Sequence, residues 1–119
     1  MQSDATQAML TKVLDATALR HRVLANNLAN VNTPRYHRQD VDFGAELAEA
    51  VKKGGADGAA NMVLDVKIDN VSPERWDGNN VQLETELSSI SENSLQYQTA
   101  MQVLNIRMQL QRMGITGRS

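Results

Sequence analysis

The sequence contains no cysteine, which excludes disulfide bonds and thiolate chemistry. Only 3% of its 119 residues are aromatic, although a compact domain of this size usually fills its core with such side chains. No apolar run approaches the roughly 18 residues needed to span a bilayer. The first residues also lack the charged and then apolar order of a cleavable secretory signal. The apolar surface comes mainly from Leu, Val, Ile, Met and Ala, which suits long helices better than a globule.

Residues that usually carry chemistry are also scarce. His21 and His37 are the only histidines, and their spacing does not match a metal-binding motif, so we assign them packing or solvent roles. Asp40 and Asp42 are closely spaced carboxylates, and we interpret them as solvated groups or partners for nearby arginines. No nucleophile elbow or phosphate-binding loop is present. The sequence therefore predicts no catalytic residue, no metal site and no cofactor.

Charge is unevenly distributed along the chain. Residues 1–38 carry five basic and two acidic residues, whereas residues 39–92 carry four basic and twelve acidic residues. Residues 93–119 carry three arginines and no acid. The basic residues are scattered without interleaved aromatic side chains, so we expect no nucleic-acid partner.

Periodicity predicts a long helix at the N-terminal end. Asp4 and Gln7 have the spacing of a capping box, which places the helix start near Asp4. Thr33-Pro34 ends the helix, because proline disfavours helical geometry at the residue before it. The expected helix is about 40 Å long. A coiled-coil-like seam runs along it at Leu10, Leu14, Thr17, His21, Leu24, Leu28 and Val31.

A second long helix is predicted at the C-terminal end. It should begin at Asn80 as N-cap and end near Met113, with Gly114 beyond it. This helix has apolar residues on two sides, which is typical of a helix enclosed from both. One side holds Leu83, Leu87, Ile90, Tyr97, Met101, Leu104 and Met108, and the other holds Leu95, Val103, Ile106, Leu110 and Met113.

The middle of the chain is predicted to be a connector. Residues 52–58 are rich in glycine and indicate a flexible stretch. Apolar residues alternate over 62–68, which is compatible with one short strand or hairpin arm. The fold class is therefore mainly α: two long terminal helices in coiled-coil-like packing, joined by a flexible middle segment with at most a short hairpin. We divide the chain into residues 1–36, 37–80 and 81–119.

Two helical stretches contain no charged residue, residues 23–33 and 93–106. Exposed helical faces normally carry Lys and Glu. Asn, Gln, Ser and Thr are found here instead, and these side chains can be buried without the desolvation cost of a charge. We therefore expect both stretches to be enclosed by a neighbouring copy or a close relative.

Leu24 to Tyr36 reads LANNLANVNTPRY, which resembles the N-terminal signature of bacterial flagellar axial proteins, a family of rod and hook subunits. Arg38 to Phe43 is similar to its continuation in proximal rod subunits. Asp77 to Leu83 and Glu92 to Gln98 resemble the opening of their C-terminal helix. One departure is Arg35, where the family usually has glycine. We predict a negative φ for Arg35, with its side chain facing an acid, either Asp40 or Asp42 or an acid of a neighbouring subunit.

The resemblance implies a structural, non-enzymatic subunit of the proximal rod of the flagellar basal body, a drive shaft for motility that crosses the periplasm. It implies type III export without a cleaved signal peptide. The expected partners are copies of the chain, other rod proteins, the adaptor that joins the rod to the membrane (MS) ring, and the export apparatus; no catalytic substrate is expected. The sister proximal rod subunit and a helical export adaptor or chaperone are the alternatives. We expect the assembly interface to comprise Leu24, Asn27, Leu28, Val31, Asn32, Thr33, Pro34, Tyr36, Leu87, Ile90, Leu95, Tyr97, Met101, Val103, Leu104, Ile106, Met108 and Leu110.

Overall fold

A computed structural model describes the backbone of residues 2–114 and the side chains of residues 5–114. Within this range it contains three helices, α1 (Gln2–Ala29), α2 (Phe43–Ala60) and α3 (Leu83–Arg112), and two short strands, β1 (Gln39–Asp40) and β2 (Lys67–Ile68). The mainly α class with long terminal helices is confirmed. Within the described residues α1 begins at Gln2, two residues before the predicted start near Asp4, and it ends at Ala29, before the predicted limit at Thr33-Pro34.

The two long helices run antiparallel. Near one end of the pair, Asn27 of α1 meets Glu86 of α3, and further along Asn93 of α3 meets Thr17 of α1. The molecule is about 60 × 27 × 14 Å, with a radius of gyration of 17.4 Å. A compact chain of this length would have a radius of roughly 13.5 Å. The pairing of α1 and α3 therefore makes the subunit elongated.

The boundaries of α3 differ at one end from the prediction. The helix begins at Leu83, and Gln82 occupies the N-cap position without a side-chain capping bond. Asn80, the predicted N-cap, is instead buried among loops. The predicted end is confirmed, because α3 stops at Arg112 and Gly114 has a φ of 74°. Residues 115–119 of the predicted C-terminal segment lie outside the described residues.

The middle segment contains a helix that the sequence does not predict. α2 occupies 18 residues, and its backbone leaves helical geometry at Gly54 and Gly55, where Gly55 has a φ of 62°. Gly58 approaches the carbonyl of Ala50 so closely that a Cβ there would lie 2.5 Å from the oxygen. The glycines therefore allow two short helical pieces to fold against each other, because larger residues would clash or be strained.

A small core lies between α1 and the segment that contains α2. The two strands pair antiparallel, with Gln39 opposite Ile68. Of the predicted strand over residues 62–68, only Lys67–Ile68 is a strand, although Met62 and Leu64 turn inward as the alternation predicts. The core cluster contains Ala16, Val23, Val41 and Phe43, with Val13, Leu19, Met62 and Leu64 packed around it.

Candidate assembly interface

The side of α3 that faces α1 is largely polar. Its buried residues are Glu86, Asn93 and Ala100, which recur every seven residues and therefore lie on one side of the helix. Asn93 Nδ2 donates a hydrogen bond to the carbonyl of Thr17 at 2.7 Å. Many of the large apolar residues of α3 consequently lie away from α1.

Glu86 is the centre of the buried polar cluster and is 0% exposed. Arg38 Nε donates to Glu86 Oε2 at 2.6 Å, and Asn27 Nδ2 donates to Glu86 Oε1 at 2.9 Å. Asn27 also pairs with the backbone of Gln39, because its Oδ1 accepts from the N–H at 2.9 Å and its Nδ2 donates to the carbonyl at 2.7 Å. The cluster ties α3 to α1 and to β1.

Two arginines neutralise the Asp40 carboxylate, which lies beside Glu86. Arg20 Nε lies 2.8 Å from Asp40 Oδ1, and Arg38 Nη2 lies 3.2 Å from Asp40 Oδ2. Burial alone would raise the pKa of Asp40, but hydrogen bonds from Arg20, Arg38 and the Val41 N–H outweigh it and lower the pKa. Burial would likewise lower the pKa of Arg38, whereas its bonds to Glu86 and Asp40 raise it further. Asp40 and Arg38 therefore remain ionised at neutral pH.

Asn80 joins the segments on either side of the small sheet. Its Oδ1 accepts from the N–H of Arg38, and its Nδ2 donates to the carbonyl of Asp69, both at 2.7 Å. The Asp69 carboxylate accepts from the side chain and N–H of Ser72 and from the N–H of Val71, which lowers its pKa to about 2. These bonds hold the loop before α3 against β1.

Asn79 closes the end of α1. Its Nδ2 donates to the carbonyls of Asn30 and Thr33, both at 2.8 Å. The same two carbonyls also accept the backbone N–H groups of Thr33 and Tyr36, so Asn79 fixes the turn that follows α1. Arg75 contributes to the same junction by donating to the carbonyls of Val31 and Val81. The asparagine-rich signature is therefore used largely for contacts inside the chain.

The predicted negative φ of Arg35 is wrong. Its φ is 61°, in the left-handed region that favours glycine, and its N–H donates to the carbonyl of Asp77 at 2.8 Å. A Cβ on the neighbouring Gly78 would lie 3.3 Å from Arg35 Cα, so the two turns pack tightly. Asp40 is held by two other arginines, and among the described ion pairs none joins Arg35 to Asp40 or Asp42. The tight junction, rather than a charge pair, sets the backbone here.

The predicted interface residues differ in exposure. Leu24 and Asn27 are both 0% exposed and form part of the inner packing of the chain. The half-buried members are Leu28, Val31, Tyr36, Ile90, Met101, Leu104 and Leu110. The exposed members are Asn32, Thr33, Pro34, Leu87, Leu95, Tyr97, Val103, Ile106 and Met108.

An open groove of about 970 Å³ lies beside the polar cluster. α1 packs against both α2 and α3, and all three helices contribute to the groove walls. The apolar part of its lining includes Leu10, Val13, Phe43, Leu47, Leu95 and Val103. The exposed apolar residues of α3 thus continue into a concave apolar surface.

Sequence reasoning missed the members of the polar cluster. The recurrence of Glu86, Asn93 and Ala100 every seven residues was the available signal. Polar residues at such spacing can form the inner seam when each finds a hydrogen-bonding partner.

The described residues provide neither a metal site nor a membrane-spanning helix. In the part of the chain that the structure describes, no group of three or more His, Asp or Glu side chains is placed to hold a metal. Among the described helices, none combines the length and apolar character needed to cross a membrane.

These features define an elongated, helical structural protein with a polar inner seam and an apolar outer face. A family model for the flagella basal body rod protein matches residues 14–37. The flagellar basal body rod protein FlgB of Cereibacter sphaeroides is 39% identical, over 75% of this chain and 77% of the relative. FlgB of Yersinia enterocolitica is 30% identical, over 78% of this chain and 80% of the relative. FlgB of Escherichia coli K12 is 29% identical, over 86% of each chain.

The chain therefore belongs to the FlgB family of flagellar basal body rod proteins, as the resemblance in its terminal segments predicted. It is a structural component of the basal body rod. These relatives favour FlgB over the sister rod subunit that the sequence had left as an alternative.

Proposed function

We propose that the chain is a non-enzymatic subunit of the proximal rod, assembled through its helices into the shaft that crosses the periplasm. The observation that supports this most strongly lies on α3, where residues 93–106 carry no charge yet expose Leu95, Val103 and Ile106 by 64%, 41% and 52%. Fully burying one such side chain stabilises by about 1.5–3 kcal/mol. Covering these three would therefore contribute roughly 2–5 kcal/mol per subunit before the cost of association.

The role of the subunit in this proposal is mechanical. Torque passes through side chains packed between neighbouring helices, and no bond is made or broken. The buried cluster around Glu86 and Arg38 supports such a role, because it joins α1, β1 and α3 by several hydrogen bonds at once. A subunit held in this way transmits force without sliding of its own helices.

The proposed partners are copies of this chain, other rod proteins and the adaptor that joins the rod to the membrane (MS) ring. Of the predicted interface residues, those that are exposed or half-buried form the proposed contact surface. The subunit would reach the rod through the type III export apparatus without cleavage of a signal peptide. A helical export adaptor or chaperone is the alternative from a different class, and it would stay outside the finished rod.

The test is deletion of the gene in its own host, followed by complementation and purification of basal bodies. We expect deletion to abolish swimming and the wild-type gene to restore it. We expect the chain to co-purify with detergent-extracted basal bodies as an uncleaved polypeptide. Restored swimming with the chain confined to the cytoplasm would favour the export adaptor and contradict the proposal.

A further inference from the structure

The groove between α2 and α3 has an excess of negative charge. Its lining carries three basic residues, Arg20, Arg38 and Lys67, and four acidic residues. Two further acids that do not line the groove form ion pairs with these bases: Glu86 with Arg38 and Glu46 with Lys67. The groove and its paired groups therefore carry a net charge of −3. The described ion pairs do not include Asp42, which lies exposed on the lining. An occupant of this groove should be apolar in its centre and basic at its edge.

The far end of α3 has these properties. Residues 93–119 carry three arginines and no acid, a net charge of +3. Ile106 and Met113 are 52% and 67% exposed, and because they are seven residues apart they lie on the same side of the helix. Arg112 is exposed next to them. None of these three side chains lines the groove of its own chain.

We propose that the groove of one copy receives the last two turns of α3 from a second copy. Ile106 and Met113 would cover the apolar walls around Leu47 and Val103, and Arg112 would lie near Asp42 at the rim. The groove and the inserted segment are different sets of residues, so one copy can receive a neighbour and insert into another, which is a heterologous contact. Such contacts continue from copy to copy into an open helical assembly unless the rotation closes them into a ring. This inference rests on the proposed function, because it specifies how one subunit binds the next.

Disulfide cross-linking in assembled basal bodies tests the contact directly. The chain has no cysteine of its own, so introduced thiols are unique. Gly44 lines the groove and a Cβ there meets nothing within 4 Å, so Gly44→Cys should be accommodated. It is combined with Ile106→Cys in one gene. The matched control is Gly54→Cys with Ile106→Cys, since Gly54 is also open and on α2 but does not line the groove.

We expect oxidised basal bodies of the Gly44 variant to give bands at multiples of 13.1 kDa. The Gly54 control should give at least about 10-fold less cross-linked product, because a disulfide requires Cα atoms within about 7 Å. Swimming cells whose basal bodies contain the variant but show no excess over the control would overturn the inference and leave the proposed function intact. Cross-links only to a different rod protein would overturn it too. Absence of the wild-type chain from basal bodies would instead refute the proposed function.

A second measurement keeps the test decisive if the cysteines prevent assembly. Asp42→Lys and Arg112→Glu should each reduce the swimming radius in soft agar, because each places like charges together. The double variant should restore most of that radius. A double variant no better than the worse single variant would overturn the inference.

Discussion

Replacing Glu86 with alanine is expected to destabilise the chain by about 3 kcal/mol. The substitution removes the acceptor of bonds from Arg38 and Asn27 and leaves the Arg38 guanidinium, whose side chain is only 14% exposed, without its closest charged partner. Breaking a buried ion pair by removing one partner costs about 3–5 kcal/mol. We take the lower value because Asp40 and Asp69 still contact Arg38. A domain is stable by only about 5–15 kcal/mol, so the loss is large.

The assay is urea unfolding followed by the helical circular dichroism signal. With a denaturant slope of about 2 kcal/mol/M, the midpoint should fall by about 1.5 M. Glu84→Ala is the matched control, since Glu84 is exposed on the same turn of α3 and its loss should change stability by less than about 0.5 kcal/mol. Equal midpoints for the two variants would refute the structural role assigned to the buried cluster.

Two further predictions concern the loops at the same end of the molecule. Arg35→Gly should raise the thermal midpoint of unfolding, because it removes a cost of about 1 kcal/mol for a Cβ at positive φ. Arg35→Ala keeps the Cβ and should leave the midpoint nearly unchanged. A higher midpoint for the alanine variant than for the glycine variant would contradict this reasoning. Hydrogen bonds to Asn70 and Glu74 raise the pKa of His37, so its stabilising contribution is full below about pH 6.5 and is lost as pH rises through the folded pKa. The thermal midpoint of the wild-type chain should therefore fall more between about pH 6 and pH 8 than the thermal midpoint of His37→Gln. An equal dependence of the two midpoints on pH would show that the contact is unimportant.

The terminal helices could be predicted because their signals are local. Apolar residues recur at helical spacing over both ends, and Gly114 marks the end of α3, whereas α1 already stops at Ala29, before Thr33-Pro34. The middle helix could not be predicted in the same way. Gly54, Gly55 and Gly58 suggest a flexible loop, yet the close approach of Gly58 to Ala50 allows a packed turn between helical pieces that only the tertiary structure shows.

The polar cluster was not predicted from the sequence because its hydrogen bonds join distant segments. Asn27 and Glu86 are 59 residues apart, and a charged residue on a helix is normally assigned to the solvent side. Burial of Glu86 depends on Arg38 and Asn27 arriving from other segments to satisfy it. The apolar pattern of α3 was correctly recognised, but the polar residues between its two apolar sides form the inner seam.

A density map of the isolated basal body, at a resolution that shows side chains, tests the central claim most directly. We predict that the rod contains this chain as a subunit about 60 Å long in which α1 and α3 pair antiparallel, with the Glu86–Arg38 contact retained within each subunit. Leu95, Ile106 and Met108 should be covered by helices of neighbouring subunits. A rod in which these three side chains face solvent in every copy would contradict the account.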